Sequence, residues 1–267
     1  MEAPIGVFDS GIGGLTVLAA LMQALPHERF VYLGDTARLP YGTKSAQTVA
    51  RYAVQAAQVL MAQDVKCLVV ACNTAASVGL EAVRARAGGL PVIGVIEPGA
   101  QAACAATRSG YIAVIATEAT VRGGAYPRAI LERRPDARVI QLPAQLLVAL
   151  AEEGLVEGPV AAAVVTHYLG ELFRADPPDT LVLGCTHFPA LAPTIREVLG
   201  EAVRIVDSAL TTAVAVREQL LRAGLARSAG SQSLQFIATD GPERFARVGS
   251  RFLGRAIEPR RVELIDL

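Results

Sequence analysis

The sequence predicts an α/β fold of two similar, doubly wound, mainly parallel lobes that face each other across a cleft. Three observations support this prediction. Short β-branched runs alternate with alanine-rich helical stretches along the chain of 267 residues. The strand candidates are almost continuously apolar, which is typical of parallel strands covered by helices on both faces. One strand–cysteine pattern also occurs twice, in different halves of the chain.

The hydrophobic pattern predicts the elements in order along the chain. Strands are expected at residues 5–8, 30–34, 67–71, 92–96, 111–116, 139–142, 180–184, 203–206 and 234–238. Helices are expected at residues 15–25, 45–62, 75–87, 100–107, 144–153, 160–174, 189–199 and 211–223. Several strands are followed by small polar residues that begin the next helix, namely Asp9-Ser10, Asn73-Thr74, Thr117 and Thr186-His187. Ligands of open α/β sheets bind at such carboxyl ends, so the functional site is expected there.

A weak internal repeat relates the two halves of the chain. Residues 68–74 and 181–187 both read as an apolar strand, a small residue, a cysteine and two polar residues that start a helix. The repeat places Cys72 and Cys185 at similar strand ends of two lobes. Because no linker rich in Pro, Gly or Ser separates the halves, a compact pair with more than one crossing of the chain is expected.

Composition restricts the class of partner. Lysine plus arginine equals aspartate plus glutamate at 25 each, so the formal net charge is zero. Proteins that bind nucleic acid usually carry a basic excess, so we expect a small-molecule substrate and no nucleic acid. The N-terminus lacks the regions of a signal peptide, and the apolar segments are too short for a membrane span. A cytoplasmic enzyme that does not bind a membrane is expected.

The cysteines fit neither the framework of a disulfide-rich secreted protein nor the spacing of a zinc site. Cys67 and Cys104 lack a following polar pair and are interpreted as small buried hydrophobes. Cys72 and Cys185 are interpreted as a catalytic pair. Inverting a tetrahedral Cα without a redox step needs one acid/base group on each face of the substrate. Thiols suit this task, because local charges can lower their pKa from about 8.5 into the working range.

Other residues could assist the cysteines. Asp9 could accept a substrate ammonium group or orient a cysteine, although capping the next helix would also explain it. His187, two residues after the second cysteine, could tune that thiol. The loop with Tyr41 and Gly42 offers a phenol and backbone amides. Glu152, taken by itself, would be explained as a solvated charge at the end of a helix.

The residues give no support for a cofactor. Pyridoxal phosphate needs a lysine, and the only lysines, Lys44 and Lys66, have no phosphate-binding context. The cluster Gly11-Ile12-Gly13-Gly14 follows a strand, but Thr16 occupies the third glycine position of a dinucleotide-binding motif. We interpret the cluster as a backbone nest for a small anion such as a substrate carboxylate, or as a tight turn.

Several segments match one known family in that family's own order. They are residues 8–17 (FDSGIGGLTV), 38–45 (RLPYGTKS), 71–75 (ACNTA), 94–99 (GVIEPG) and 184–189 (GCTHFP). Together they resemble the cofactor-independent glutamate racemase family of the aspartate/glutamate racemase superfamily. The matching segments are spread over most of the chain.

The resemblance implies an activity, an assembly and roles for individual residues. It implies interconversion of L- and D-glutamate without a cofactor, D-glutamate for peptidoglycan synthesis, and a homodimer. Cys72 and Cys185 would donate and accept the protons, one serving each enantiomer, with assistance from Asp9, His187 and Glu152. Substrate contacts would come from Asp9, Ser10, Tyr41, Gly42, Asn73, Thr74, Thr117, Thr120, Thr186 and His187.

The resemblance also implies the lobe boundaries. One lobe would comprise residues 1–97 with 207–267 and carry Cys72, and the other would comprise residues 98–206 and carry Cys185. Two alternatives stay open. A two-cysteine racemase could act on aspartate or a related acidic amino acid, because the cysteines determine the reaction and not the substrate. A non-catalytic protein of the same fold could bind a small anion, although the intact set of Cys72, Cys185, Asp9 and His187 argues against it.

Overall fold

The computed structural model describes residues 2–267, apart from the side chain of Ala175, and shows two parallel sheets covered by helices. The strands are β1 (Ile5–Asp9), β2 (Arg29–Gly34), β3 (Cys67–Val70), β4 (Val92–Gly94), β5 (Tyr111–Ala116), β6 (Arg138–Pro143), β7 (Thr180–Gly184), β8 (Arg204–Asp207), β9 (Ser233–Ala238) and β10 (Val262–Leu264). The helices are α1 (Leu15–Ala24), α2 (Ala46–Met61), α3 (Asn73–Val78), α4 (Leu80–Arg86), α5 (Ile96–Ala106), α6 (Glu118–Gly123), α7 (Ala125–Arg133), α8 (Leu146–Glu153), α9 (Gly158–Ala175), α10 (Ala192–Leu199), α11 (Ser208–Arg222) and α12 (Pro242–Leu253).

The two sheets share one strand order. The first runs β10-β9-β2-β1-β3-β4, the second runs β6-β5-β7-β8, and the strand pairs of both are parallel. The order β2-β1-β3-β4 therefore corresponds to β6-β5-β7-β8. In this correspondence β3 and β7, the strands that precede Cys72 and Cys185, are equivalent. The predicted fold of two parallel α/β lobes is confirmed, and the weak sequence repeat has a structural counterpart.

The central strands are buried along their whole length. Every residue of β1, β3, β5 and β7 is buried, as expected for strands with helices on both faces of the sheet. Their apolar side chains form the core, and the polar residues that follow them lie at the carboxyl edge. Within residues 2–267, no helix combines the length and the apolarity needed to cross a membrane.

Several element predictions were wrong. The helix expected at 75–87 is divided into α3 and α4 at Gly79, where a Cβ would lie 3.0 Å from the carbonyl oxygen of Ala75. The strand expected at 92–96 ends at Gly94, because Ile96 already begins α5. Strand β10 and helices α6, α7 and α12 were not predicted. Between α6 and α7 the chain turns at Gly124, which has a φ of +61° that favours glycine.

The strands of the first sheet come from residues 5–94 and 233–264, and those of the second come from residues 111–207. The chain thus leaves the first sheet, builds the second and returns. The predicted lobe boundaries stay a prediction, and the later one, between residues 206 and 207, falls one residue before the end of β8.

A buried ion pair attaches the returning chain to the first sheet. Lys66 Nζ lies 2.6 Å from Glu28 Oε2, and the two side chains are 5% and 1% exposed. Lys66 also donates to the carbonyl of Leu225 at 2.8 Å. Glu28 Oε1 accepts the backbone N–H of Arg227 at 2.8 Å. Both charges therefore also bond to the backbone of the segment that follows α11.

We predict that Lys66→Met lowers the free energy of unfolding by about 3–5 kcal/mol, because it leaves the Glu28 carboxylate buried without its cation. Adding Glu28→Gln removes that charge but keeps an acceptor for Arg227, so the double variant should recover most of the loss. Urea denaturation followed by circular dichroism measures both. A double variant no more stable than Lys66→Met would show that the uncompensated charge is not the cause.

Candidate active site

A small pocket lies between the carboxyl ends of the two sheets. Its lining comes from both lobes: Ser10, Gly11, Ile12, Leu39, Pro40, Tyr41, Gly42, Cys72, Asn73, Thr74, Thr117, Gln145, Val148, Glu152, Cys185, Thr186 and His187. The pocket encloses about 40 Å³. One buried water needs roughly 10–15 Å³ on the same measure. The pocket therefore suits a single compact ligand rather than a dinucleotide or a polymer.

Two thiols enter this pocket from different sheets. Cys72 is the N-cap of α3, where its Sγ accepts the backbone N–H of Ala75 at 3.4 Å and donates to Ser10 Oγ at 3.3 Å. Cys185 directly follows β7, and its Sγ lies 3.6 Å from His187 Nδ1, in a hydrogen bond whose donor depends on protonation. Cys72 is 5% exposed and Cys185 is 6% exposed, so both side chains are almost completely shielded from solvent although they line the pocket.

The surroundings of Cys72 favour its protonated form. Burial raises the pKa of the Cys72 thiol to about 12, and the negative charge of Asp9 acts in the same direction. The hydrogen bonds with Ser10 and with the N–H of Ala75 oppose this shift without cancelling it. At neutral pH the Cys72 thiol is therefore protonated and can act as a proton donor.

Asp9 lies at the end of β1, directly behind the pocket. Its Oδ2 accepts the N–H of Gly11 at 2.9 Å, whereas its Oδ1 is buried without a hydrogen-bond partner among the described residues. Burial raises the pKa of Asp9, although the positive charge of His187 and the N–H groups of Gly14, Gly11 and Ser10 oppose the shift. The glycine cluster, predicted as a nest for a substrate anion, thus binds the protein's own carboxylate.

The second thiol belongs to a chain of side chains. His187 Nε2 is 3.1 Å from Glu152 Oε1, and Glu152 Oε2 accepts a hydrogen bond from Arg244 at 2.7 Å. Burial acts to lower the pKa of His187, but its hydrogen bonds with Cys185 and Glu152 outweigh burial and raise it to about 10. Burial likewise acts to raise the pKa of Glu152, but the hydrogen bond and charge of His187 and the charge of Arg244 lower it. Glu152 is therefore a carboxylate partner of the histidine and not merely a solvated charge.

Threonine hydroxyl groups form an uncharged wall on the side of the pocket that carries Cys72. Thr74 Oγ1 lies 2.9 Å from Thr117 Oγ1 and 3.1 Å from Thr120 Oγ1, and the last two are 3.0 Å apart. Thr74 and Thr117 line the pocket, whereas Thr120 lies behind them and is fully buried. The hydroxyls of Thr74 and Thr117 can rotate to donate to a bound anion, so this group can bind a carboxylate without a cationic side chain.

The amide of Asn73 is oriented from the opposite lobe. Tyr126 Oη, on α7, donates to Asn73 Oδ1 at 2.7 Å. This bond uses Oδ1 as its acceptor and leaves Nδ2 as a donor that is buried without a partner among the described residues. Burial raises the pKa of Tyr126, so the phenol stays protonated and can keep donating. Asn73 Nδ2 is thus an unpaired donor on a residue that lines the pocket.

The Tyr41–Gly42 loop closes another side of the pocket. The hydroxyl of Tyr41 donates to Asp35 Oδ2, which also accepts from Arg38 Nε at 2.7 Å. The phenol hydroxyl is thus bonded to the protein, and Tyr41 offers the pocket its ring and backbone. At Gly42 a Cβ would lie 2.8 Å from the Thr117 Cβ, so a larger residue would displace the hydroxyl wall.

Comparison with known proteins identifies the family. The model of the Asp/Glu/hydantoin racemase family matches residues 10–216, more than half of the chain. The chain belongs to this family. The predicted enzyme class, an amino-acid racemase and hence an isomerase, is confirmed, and so is the resemblance from which it was predicted.

Relatives of the racemase family match nearly the whole chain. A glutamate racemase from Geobacter metallireducens is 50% identical over 251 residues, which cover 94% of this chain and 92% of that protein. A glutamate racemase isoform from Bacillus anthracis has a crystal structure with a TM-score of 0.94 and 37% identity, covering 100% of this chain and 98% of that one. The crystal structure of glutamate racemase from Francisella tularensis in complex with D-glutamate gives a TM-score of 0.92 and 36% identity, covering 99% and 98%.

The structure brings the predicted site residues of this racemase together. All of them line the pocket except Asp9 and Thr120, which lie behind it and bond to residues that do. Cys67 is buried within β3 and Cys104 is half-buried on α5, and neither lines the pocket. Among the described residues, no group of three or more His, Cys, Asp and Glu side chains could hold a metal ion. The roles of the individual residues stay predictions.

Sequence reasoning missed several residues around the pocket. Gln145 and Val148 line it, and Tyr126 and Arg244 bond to residues that do. Gln145 follows β6, so the same rule that selected the other strand ends could have found it. Tyr126 and Arg244 lie on the unpredicted helices α7 and α12, and no motif marks them.

We predict that Tyr126→Phe lowers kcat/KM for the substrate roughly three- to tenfold, the range expected for one lost hydrogen bond. Without the phenol, the Asn73 amide can rotate and lose its donor geometry, but the thiols are untouched. Steady-state racemisation kinetics in both directions measure this. An unchanged kcat/KM would mean that the phenol does not orient the Asn73 amide.

Proposed function

We propose that the chain interconverts L- and D-glutamate by proton transfer at Cα between Cys72 and Cys185. The observation that supports this is the entry of two thiols into one small pocket from opposite sheets. One sulfur, as thiolate, removes the Cα proton from its face. The other, as thiol, donates its proton to the opposite face of the planar intermediate. Each turnover therefore leaves the two sulfurs in exchanged protonation states, ready for the product enantiomer.

The two sulfurs have different assistants in this proposal. Asp9 and Ser10 act on Cys72, which burial keeps protonated, so it is the donor when Cys185 is the base. His187 bonds to Cys185, and Glu152 holds that imidazole in place. A protonated His187 beside the sulfur offsets the charge of a Cys185 thiolate. No group from outside the chain is needed to balance the transfer.

Binding of an acidic amino acid would use neutral donors and one histidine. Of the described residues that line the pocket, none is lysine or arginine. Deprotonation at Cα spreads negative charge onto the α-carboxylate, and donors placed there stabilise that charge. The unpaired Nδ2 of Asn73 and the threonine hydroxyls can supply them. We infer that the substrate contacts are Ser10, Tyr41, Gly42, Asn73, Thr74, Thr117, Thr186 and His187, with Asp9 and Thr120 orienting their neighbours from behind the lining.

Glutamate is favoured over aspartate by the relatives that match the chain over its length. The three described above are glutamate racemases at 36–50% identity, and one of them is in complex with D-glutamate. An aspartate racemase homologue from Pyrococcus horikoshii shares 15% identity and so supports the fold alone. We further propose that the product supplies D-glutamate for peptidoglycan synthesis.

We also propose that the chain forms a homodimer. The resemblance implies one, and α11 presents apolar side chains to solvent. Leu210, Val214 and Leu221 are 57%, 45% and 62% exposed, and their spacing places them on one face of the helix. An exposed apolar stripe of this kind is typical of an interface.

We predict that Cys72→Ala and Cys185→Ala each abolish interconversion of the glutamate enantiomers, because one face of the substrate then has no acid/base group. Circular dichroism of an L-glutamate solution measures the loss of optical activity. Cys104→Ala is the matched control, since it removes a thiol from the same lobe as Cys185 but outside the pocket.

Retained interconversion in either pocket variant would contradict the two-thiol mechanism. The same assay with L-aspartate addresses the alternative substrate. Faster conversion of aspartate than of glutamate by the unsubstituted protein would overturn the choice of glutamate.

A further inference from the structure

Helix α12 connects the first sheet with the side of the pocket that carries Cys185. Phe245 packs against Tyr32 of β2 and Phe236 of β9, with ring centroids 6.0 Å and 5.8 Å apart. This packing fixes α12 on the first sheet. At the other end of the helix, Phe252 meets His187 edge-on, with centroids 5.3 Å apart and the rings inclined at 85°.

Two arginines of α12 reach the end of α8. Arg244 Nη2 donates to Glu152 Oε2 at 2.7 Å, and Arg251 Nη1 donates to the backbone carbonyl of the same glutamate at 3.4 Å. Glu152 Oε1 bonds to His187 in turn, so the two carboxylate oxygens have different partners. The side chain of Glu152 is 15% exposed and that of Arg244 is 42% exposed. The chain of bonds therefore runs from solvent at Arg244 to the pocket at Cys185.

We propose that Arg244 is a positioning residue for the Cys185 side of the site. By occupying Glu152 Oε2, it directs Oε1 to His187 and keeps the carboxylate ionised, and so it makes the alignment of His187 with Cys185 depend on the docking of α12. Arg244 does not line the pocket and does not touch the substrate. This inference rests on the proposed two-thiol function.

The electrostatics give the direction of the effect. The charged groups that face Glu152 are His187, after β7, and Arg244, on α12; Arg251 bonds only to its backbone carbonyl. The hydrogen bond and charge of His187 and the charge of Arg244 hold the pKa of Glu152 below its ordinary value. Removing Arg244 therefore raises the pKa of Glu152, so the carboxylate becomes protonated at a higher pH as the solution is acidified.

The test compares Arg244→Gln, Arg244→Lys and Arg247→Gln. Arg247→Gln is the matched control, because it removes the same charge from an exposed position of the same helix. We expect Arg244→Gln to lower kcat roughly three- to tenfold, the range for loss of a partly exposed charged hydrogen bond. We expect it also to move the acid limb of the pH profile of kcat/KM to higher pH. Arg244→Lys should restore much of both, and Arg247→Gln should change neither.

A second measurement does not depend on activity. The chain has 3 histidines, so the side-chain ¹⁵N signals of His187 can be followed by NMR during acidification. The pH at which these signals report loss of the Glu152 partner should rise in Arg244→Gln and stay unchanged in Arg247→Gln.

The outcomes separate the two proposals. If the unsubstituted protein does not interconvert the glutamate enantiomers, the proposed function fails. If it does, and Arg244→Gln keeps the acid limb and the His187 titration of the parent, the positioning role is refuted. A change in KM or stability alone, without those shifts, would mean that Arg244 only joins the two lobes.

Discussion

Burial of ionisable groups at the carboxyl ends of two facing sheets is the constraint on which the rest of the site depends. Asp9 and both pocket cysteines lie almost or entirely out of solvent, so each charge that forms there must be offset by a fixed neighbour. The N–H groups of the glycine cluster bind Asp9, and a protonated His187 would offset the charge of the Cys185 thiolate that we propose. Burial raises the pKa of Cys72. It also means that the positions of these neighbours determine which groups in the site can carry a charge.

The repeated topology explains how two cysteines come to lie at the same pocket. Parallel strands end at one edge of a sheet, so the equivalent strands β3 and β7 each deliver a cysteine to the carboxyl edge of their own lobe. Contacts across the cleft then hold the lobes together around the pocket. Thr16, on α1, donates to the carbonyl of Thr186 at 2.8 Å, and the bonds Tyr126–Asn73 and Arg244–Glu152 also cross between the lobes. The same contacts that hold the lobes together also orient the groups that we assign to the reaction.

Much of this arrangement could be predicted from the sequence, for a local reason. An apolar strand followed by a cysteine and a polar pair is a pattern of adjacent residues, and the six residues that it selects, 72–74 and 185–187, all line the pocket. What sequence could not show depends on distant parts of the chain. The glycine cluster was expected to bind a substrate anion, but folding brings Asp9 beside it. Glu152 reads as a solvated charge until His187 and Arg244 are placed around it, and Arg244 lies in a helix that the pattern did not reveal.

The most direct test of the two-thiol account is the position of deuterium when L-glutamate is converted in heavy water. The account predicts that the first D-glutamate formed carries deuterium at Cα, because its proton comes from the opposite thiol, while the remaining L-glutamate stays protiated. D-glutamate that retains the original proton, or deuterium that enters the remaining L-glutamate as fast as the product, would show that one group serves both faces and would contradict the account.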